Sequence, residues 1–144
     1  MSLTEQHRFG MQLAQMSRGW RAELDRRLAG LGLSQARWLV LLHLARFDEA
    51  PTQRELAQSV GVEGPTLARL LDSLESQGLV QRQSVLEDRR AKKIVLCAPA
   101  RPLIEQIETI ANQLRHELFE GVDEADLMVC MRVHGHILAN LEKS

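Results

Sequence analysis

The stretch from Thr52 to Leu96 constrains the fold of this chain more than any other. Thr52-Gln53-Arg54-Glu55 has capping-box spacing, in which a Thr hydroxyl and a Glu carboxylate satisfy each other's orphan amides at a helix start. The helix it opens carries Leu56, Ala57 and Val60 on one side and stops at Gly61, a residue that tolerates the positive φ of a helix end. A second helix follows, with Gly64 as the expected N-cap and Pro65 as its first residue, where proline loses no hydrogen bond. Leu67, Leu70, Leu71 and Leu74 recur at spacings of three and four and predict one buried stripe, which Gly78 ends. Pro65, Thr66, Arg69, Asp72, Ser73 and Ser76 are left to face outward.

Two short helices joined by a tight turn suit a helix-turn-helix, whose second helix fits a DNA major groove, and equally suit an αα-hairpin in a bundle. The next segment separates the two readings. Leu79–Ser84 and Lys93–Cys97 have strand character and flank a charged loop, Val85–Lys92. A hairpin directly after such a helix pair makes a winged helix. Arg89, Arg90, Lys92 and Lys93 crowd its tip, as phosphate contact and minor-groove entry require. A merely solvated loop is the bland alternative.

The run from Gly61 to Glu75, then Gly78-Leu79-Val80, then Asp88-Arg89-Arg90-Ala91-Lys92-Lys93-Ile94-Val95-Leu96, resembles the MarR family of bacterial transcription regulators, and within it the SlyA-like branch. Trp20-Arg21-Ala22, Arg26-Arg27-Leu28 and Trp38 extend the resemblance over nearly the whole chain. It implies a mainly α fold: a winged helix-turn-helix with a small β-hairpin wing, plus long N- and C-terminal helices that form a dimerisation region. The chain is then a single domain over 1–144, with a DNA-binding lobe at 34–98 and dimerisation helices at 1–33 and 99–144. Carried over from the family's wing motif, Asp88 braces the hairpin and Arg90 probes the minor groove, with Arg89 as its alternate and Lys92 and Lys93 on phosphates. In the major groove, Thr66 and Arg69 are the leading readers, since Arg pairs bidentately with guanine and Thr suits a phosphate or a thymine methyl. Pro65 and Ser73 are lesser candidates on the same side. One departure is Cys97-Ala98, where the family usually has Thr after the last wing strand.

Helix lengths also bear on assembly. A first helix from about Thr4 to Ala29 is broken by Gly30-Leu31-Gly32-Leu33, and Ser34 is placed to cap a second helix reaching Arg46. Phe47 to Pro51 reads as a plain connector. Pro99 and Pro102 mark the start of a helix that runs to Glu120, and Asp123 caps the last one. At 1.5 Å per residue the first helix is roughly 39 Å long, more than a small winged helix can cover. Packing the terminal helices of two copies together solves this, and a two-fold dimer predicts a palindromic double-stranded operator. A monomeric helical bundle is the competing arrangement.

The chain has 144 residues, 44% apolar and 26% charged, with a net charge of −1. That balance gives no global attraction to nucleic acid, so the wing must supply a local one. No secretory signal or membrane-length apolar run is present, and Cys97 and Cys130 lack metal spacing, so a reduced cytoplasmic protein without membrane contact is expected. Burial is the expected fate of both cysteines. The resemblance also implies a small aromatic or anionic ligand such as an aromatic carboxylate. Arg18, Trp20, Arg21 and Trp38 are the candidates to bind it, with the alternative that both tryptophans are plain core. His43 reads as a core histidine, and His134 and His136 face different ways on their helix, so no metal site is expected. No phosphate loop, catalytic triad or cofactor motif is present; no enzyme activity and no cofactor are implied. A winged-helix dimer that binds a ligand or a protein but not DNA is the remaining alternative. Substituting Arg90 by Ala is expected to weaken operator binding strongly; unchanged affinity across a salt titration removes it from the interface.

Overall fold

Thr52 nucleates its helix as its spacing predicts. Its hydroxyl accepts from the Glu55 amide at 3.1 Å, and Glu55 Oε1 accepts from the Thr52 amide at 3.1 Å. The computed structural model describes residues 2–85 and 88–143, and gives the backbone alone for Gln35, Asp88, Arg89 and Arg90. The elements are α1 (Leu3–Leu28), a 3-10 turn (Ala29–Leu31), α2 (Gln35–Ala45), α3 (Gln53–Val60), α4 (Gly64–Ser76), β1 (Val80–Val85), β2 (Asp88–Leu96), α5 (Ala100–Leu118) and α6 (Glu124–Glu142). The mainly helical winged helix-turn-helix, with its hairpin wing and long terminal helices, is therefore the architecture that the sequence predicted. Two compact units divide the chain, residues 1–112 and 113–144.

The core of the first unit is aliphatic apart from Trp38. Leu28 of α1, Trp38 and Leu41 of α2, Leu56 of α3, Leu67, Leu71 and Leu74 of α4, Val80 of β1 and Ile94 of β2 are all fully buried. Gly61 ends α3 in the left-handed region, at φ 83 and ψ 34, which a Cβ would strain. The start of α4 differs from expectation by one residue. Glu63 is the N-cap and makes no side-chain cap, so Gly64 and Pro65 are the first two helical residues. Proline still loses nothing there, because amides in the first turn have no intrahelical acceptor. Ser34 stands at the N-cap of α2 but makes no capping bond; its hydroxyl accepts from Arg37 instead. At the N-terminus, Ser2 and Glu5 form a second capping box, so α1 begins at Leu3. The N-terminal half of α1 leaves Phe9, Met11, Leu13 and Met16 exposed, while Leu24 and Leu28 are buried.

The wing is longer and better attached than the sequence implied. β1 and β2 pair antiparallel from Val80↔Leu96 to Ser84↔Lys92, and the register then shifts so that Val85 pairs with Asp88. Most of the expected charged loop is therefore strand; Leu86 and Glu87 at its tip lie outside the described residues. The connector before α3 also joins the sheet. The Ile94 amide donates to the Pro51 carbonyl at 2.9 Å, and Thr52 bridges antiparallel to Lys93. One residue thus starts α3 and docks the wing.

In the second unit, Gly121 (φ 81) separates α5 from α6, and the Asp123 carboxylate accepts from the Ala125 amide at 3.0 Å. Along α6, Met128, Met131, Leu138 and Leu141 are all exposed. Cys130 on the same helix is exposed and Cys97 is half-buried, so neither is buried as expected. No single helix among the described residues is long and apolar enough to cross a membrane. Thr52→Ala, which removes one side of the capping box, is expected to lower unfolding stability by about 1 kcal/mol. Chemical denaturation checks this, and an unchanged midpoint refutes it.

Candidate nucleic-acid interface

The leucine row of α4 decides what the helix shows to the outside. At about 100° per residue, Leu67, Leu71 and Leu74 cluster within roughly 60° of one another, and Arg69 lies roughly 200° from Leu67. Arg69 and Pro65 are accordingly exposed, and Thr66 is half-buried on one flank. Ser73 lies on that same flank, half-buried, and its hydroxyl accepts from Arg37 Nη1 of α2 at 3.1 Å.

The opposite flank meets the wing. Arg82 of β1 donates through Nη1 to Asp72 Oδ1 at 2.7 Å and through Nη2 to the Ala68 carbonyl at 2.7 Å, and Glu75 Oε2 stands 3.5 Å from Nη1. Asp72 is thus not a free outward group; its carboxylate is held by an arginine whose side chain is only 22% exposed. Sequence reasoning passed over Arg82 and Arg37. The signal for Arg82 was available: alternation along β1 puts it on the same face as buried Val80, while Gln81 and Gln83 face solvent. A charge on the inward face of a strand needs a partner.

On the wing, Lys92 Nζ donates to Ser84 Oγ across the hairpin at 2.9 Å, and both Lys92 and Lys93 are exposed. Lys93 lies close enough to Glu55 to help lower its pKa, after the larger effect of the Thr52 hydrogen bonds. The side chains of Asp88, Arg89 and Arg90 lie outside the described residues; the backbone places all three on β2. Between the start of α3, the turn into α4 and the wing is a cleft of about 730 Å³, with Arg54, Gln58, Glu63 and Lys92 on its walls.

The four ligand candidates are not gathered in one place. Trp38 is 1% exposed and its indole N–H points to Asp25 Oδ1 at 3.4 Å, so its ring belongs to the core. Trp20 is half-buried on α1, and Arg18 and Arg21 are exposed on the same helix. His43 is the titratable group nearby: its Nδ1 shares a 2.8 Å hydrogen bond with Ser59 Oγ. Burial lowers its pKa, and the positive charges of Arg46 and Arg21 lower it further. Among the described residues no three His, Cys, Asp or Glu side chains converge as a metal would require.

A helix-turn-helix with its second helix anchored by leucines and a basic hairpin docked beside it defines a winged-helix nucleic-acid reader. Known proteins agree. The MarR family pattern matches residues 31–91. The solved structure of transcriptional regulator PA3341 is 67% identical, over 94% of this chain and 99% of that one, with a TM-score of 0.89. The S. aureus MepR–DNA complex superimposes with a TM-score of 0.82 at 22% identity, over 92% of this chain and 97% of that one. CouR from Rhodococcus jostii RHA1, bound to p-coumaroyl-CoA, gives 0.80 at 24% identity, over 90% of each chain. At those identities MepR and CouR establish the shared fold. The chain belongs to the MarR family of winged-helix, DNA-binding transcriptional regulators. It is accordingly a regulator rather than an enzyme.

His43 carries a pH dependence. Its folded pKa lies below the ordinary 6.5, so the unfolded chain binds the extra proton first. The stability it contributes is complete above that value and is lost as pH falls below it. His43→Gln is expected to flatten the loss of thermal stability between about pH 7.5 and about pH 5.5; parallel melting curves for the two proteins refute this.

Proposed function

We propose that the chain acts as a two-fold homodimer that reads a palindromic duplex, with α4 in successive major grooves and the wing on the flanking minor grooves. The observation that carries the reading is the outer edge of α4: Arg69 and Pro65 are exposed there on a helix locked by three buried leucines, beside the exposed wing lysines Lys92 and Lys93. Thr66 and Arg69 contact bases, with Pro65 and Ser73 alongside. Lys92 and Lys93 hold phosphates, and Asp88, Arg89 and Arg90 supply the brace and the minor-groove probe. Dimerisation through 1–33 and 99–144 is supported by the bare apolar residues of both terminal helices. Met11 and Met16 on α1, and Met128 and Leu138 on α6, are each 60% exposed in the single chain, and large apolar side chains this bare are unfavourable in water unless a second copy covers them.

The proposed ligand is a small aromatic carboxylate or a comparable organic anion, with the exposed Arg18 and Arg21 of α1 as candidate partners for its charge and Trp20 of the same helix for its ring, while Trp38 stays in the core. CouR, seen with p-coumaroyl-CoA, is a fold relative that takes an aromatic acyl compound. The wing sequence supports placement in the SlyA-like branch, and the free cysteines support a reducing, cytoplasmic setting.

Selection from a randomised duplex pool tests the core of this reading. The expected result is a palindrome with half-sites about one helical turn apart, bound as a dimer with affinity that falls steeply as salt rises. No enriched sequence and no salt-dependent binding at low salt overturn it.

A further inference from the structure

We infer that Arg82, a wing residue that reaches no base, determines how well α4 discriminates between sequences, by fixing the roll of that helix about its own axis. The inference rests on the proposed DNA reading. Leucine burial fixes where α4 lies, but a row of aliphatic side chains is tolerant of small rotations because dispersion contacts are non-directional. Hydrogen bonds are directional. Arg82 makes two at once, to the Ala68 carbonyl and to the Asp72 carboxylate, groups stacked one helical turn apart on one flank of α4. A planar guanidinium spanning two acceptors in this way admits one orientation of the helix. Arg37 holds the opposite flank through Ser73. Arg69 lies between the two tethers and is next in sequence to Ala68, the residue whose carbonyl Arg82 holds. A bidentate arginine–guanine contact tolerates little rotation, so the tether translates directly into base discrimination.

Arg82 has a second effect, which the test must separate from the first. It offsets one of the two negative charges on Asp72 and Glu75, acids that repel DNA phosphate. The informative quantity is the ratio of affinity for the selected operator to affinity for an unrelated duplex of the same length. A variant that only lowers the folded fraction reduces both affinities equally and leaves the ratio unchanged. Arg82→Gln is expected to lower the ratio by about tenfold or more. Arg82→Lys keeps the charge and loses the planar fork, and is expected to restore affinity for the unrelated duplex but not the ratio. The double variant Arg82→Gln with Asp72→Asn removes the repulsion without restoring the tether, and its ratio is expected to stay low. If Arg82→Gln leaves the ratio within about twofold of wild type, the inference is overturned while the DNA reading stands. Recovery of the ratio in Arg82→Lys or in the double variant also overturns it, because charge would then be the whole effect. A wild-type ratio of one overturns the DNA reading and this inference together.

Discussion

The burial of Leu67, Leu71 and Leu74 is what the DNA-binding lobe depends on. Truncating any one of three fully buried leucines would cost about 2–5 kcal/mol. An exposed ion pair contributes roughly 0–1 kcal/mol by comparison. The leucines therefore hold α4 in place, and the polar contacts around it have little to add to its stability. What those contacts add is orientation. Arg37 and Arg82 sit on opposite flanks of the helix, and the face between them, with Arg69 at its centre, is left to the solvent. A helix held by apolar packing and oriented by guanidinium groups separates the two requirements of a sequence reader, which must be stable as a fold and exact as a surface.

The wing reaches the same helix pair by a second route. Thr52 caps α3 through its side chain and bridges to Lys93 through its backbone, and Pro51 accepts from the Ile94 amide. A two-stranded hairpin is marginal in water by itself. Here it gains a single bridge from the connector, a buried pair in Val80 and Ile94, and the Arg82 tether to α4. These contacts tie the base of the wing to the helix-turn-helix.

Much of this was legible in the sequence, for a physical reason. Capping boxes, positive-φ glycines and leucine spacing are local signals, and α3, α4 and the wing are built from them in unbroken succession. The parts that were not legible are long-range. The Pro51–Ile94 and Thr52–Lys93 contacts join residues far apart in the chain, and no local propensity marks a connector as a strand. Ser73 looked like a free surface hydroxyl because its partner, Arg37, is on another helix. Asp72 looked free because its partner, Arg82, is on the following strand, although the alternation of β1 marked Arg82 as inward-facing. Ser34 stood where a cap belongs, yet its hydroxyl serves Arg37. The capping box at Ser2 and Glu5 was local and readable, and it moves the start of α1 toward the N-terminus.

The electrostatics of the lobe explain how a chain with a net charge of −1 can serve a polyanion. Attraction to DNA depends on the charges that face it, within about 10 Å at moderate salt, and not on the total. On this lobe three acids near the reading surface have partners close by. The Glu55 carboxylate accepts from the Thr52 amide, and Asp72 and Glu75 face Arg82. Arg69 and Lys92 join no ion pair among the described residues, so their charge projects outward undiminished. Pairing acids in place, rather than omitting them, leaves Arg69, Lys92 and Lys93 as exposed cations at the edge of α4 and on the wing. A local cluster of cations favours one docking orientation over others, which is the behaviour expected of a regulator that must find a short site among a great excess of other sequence.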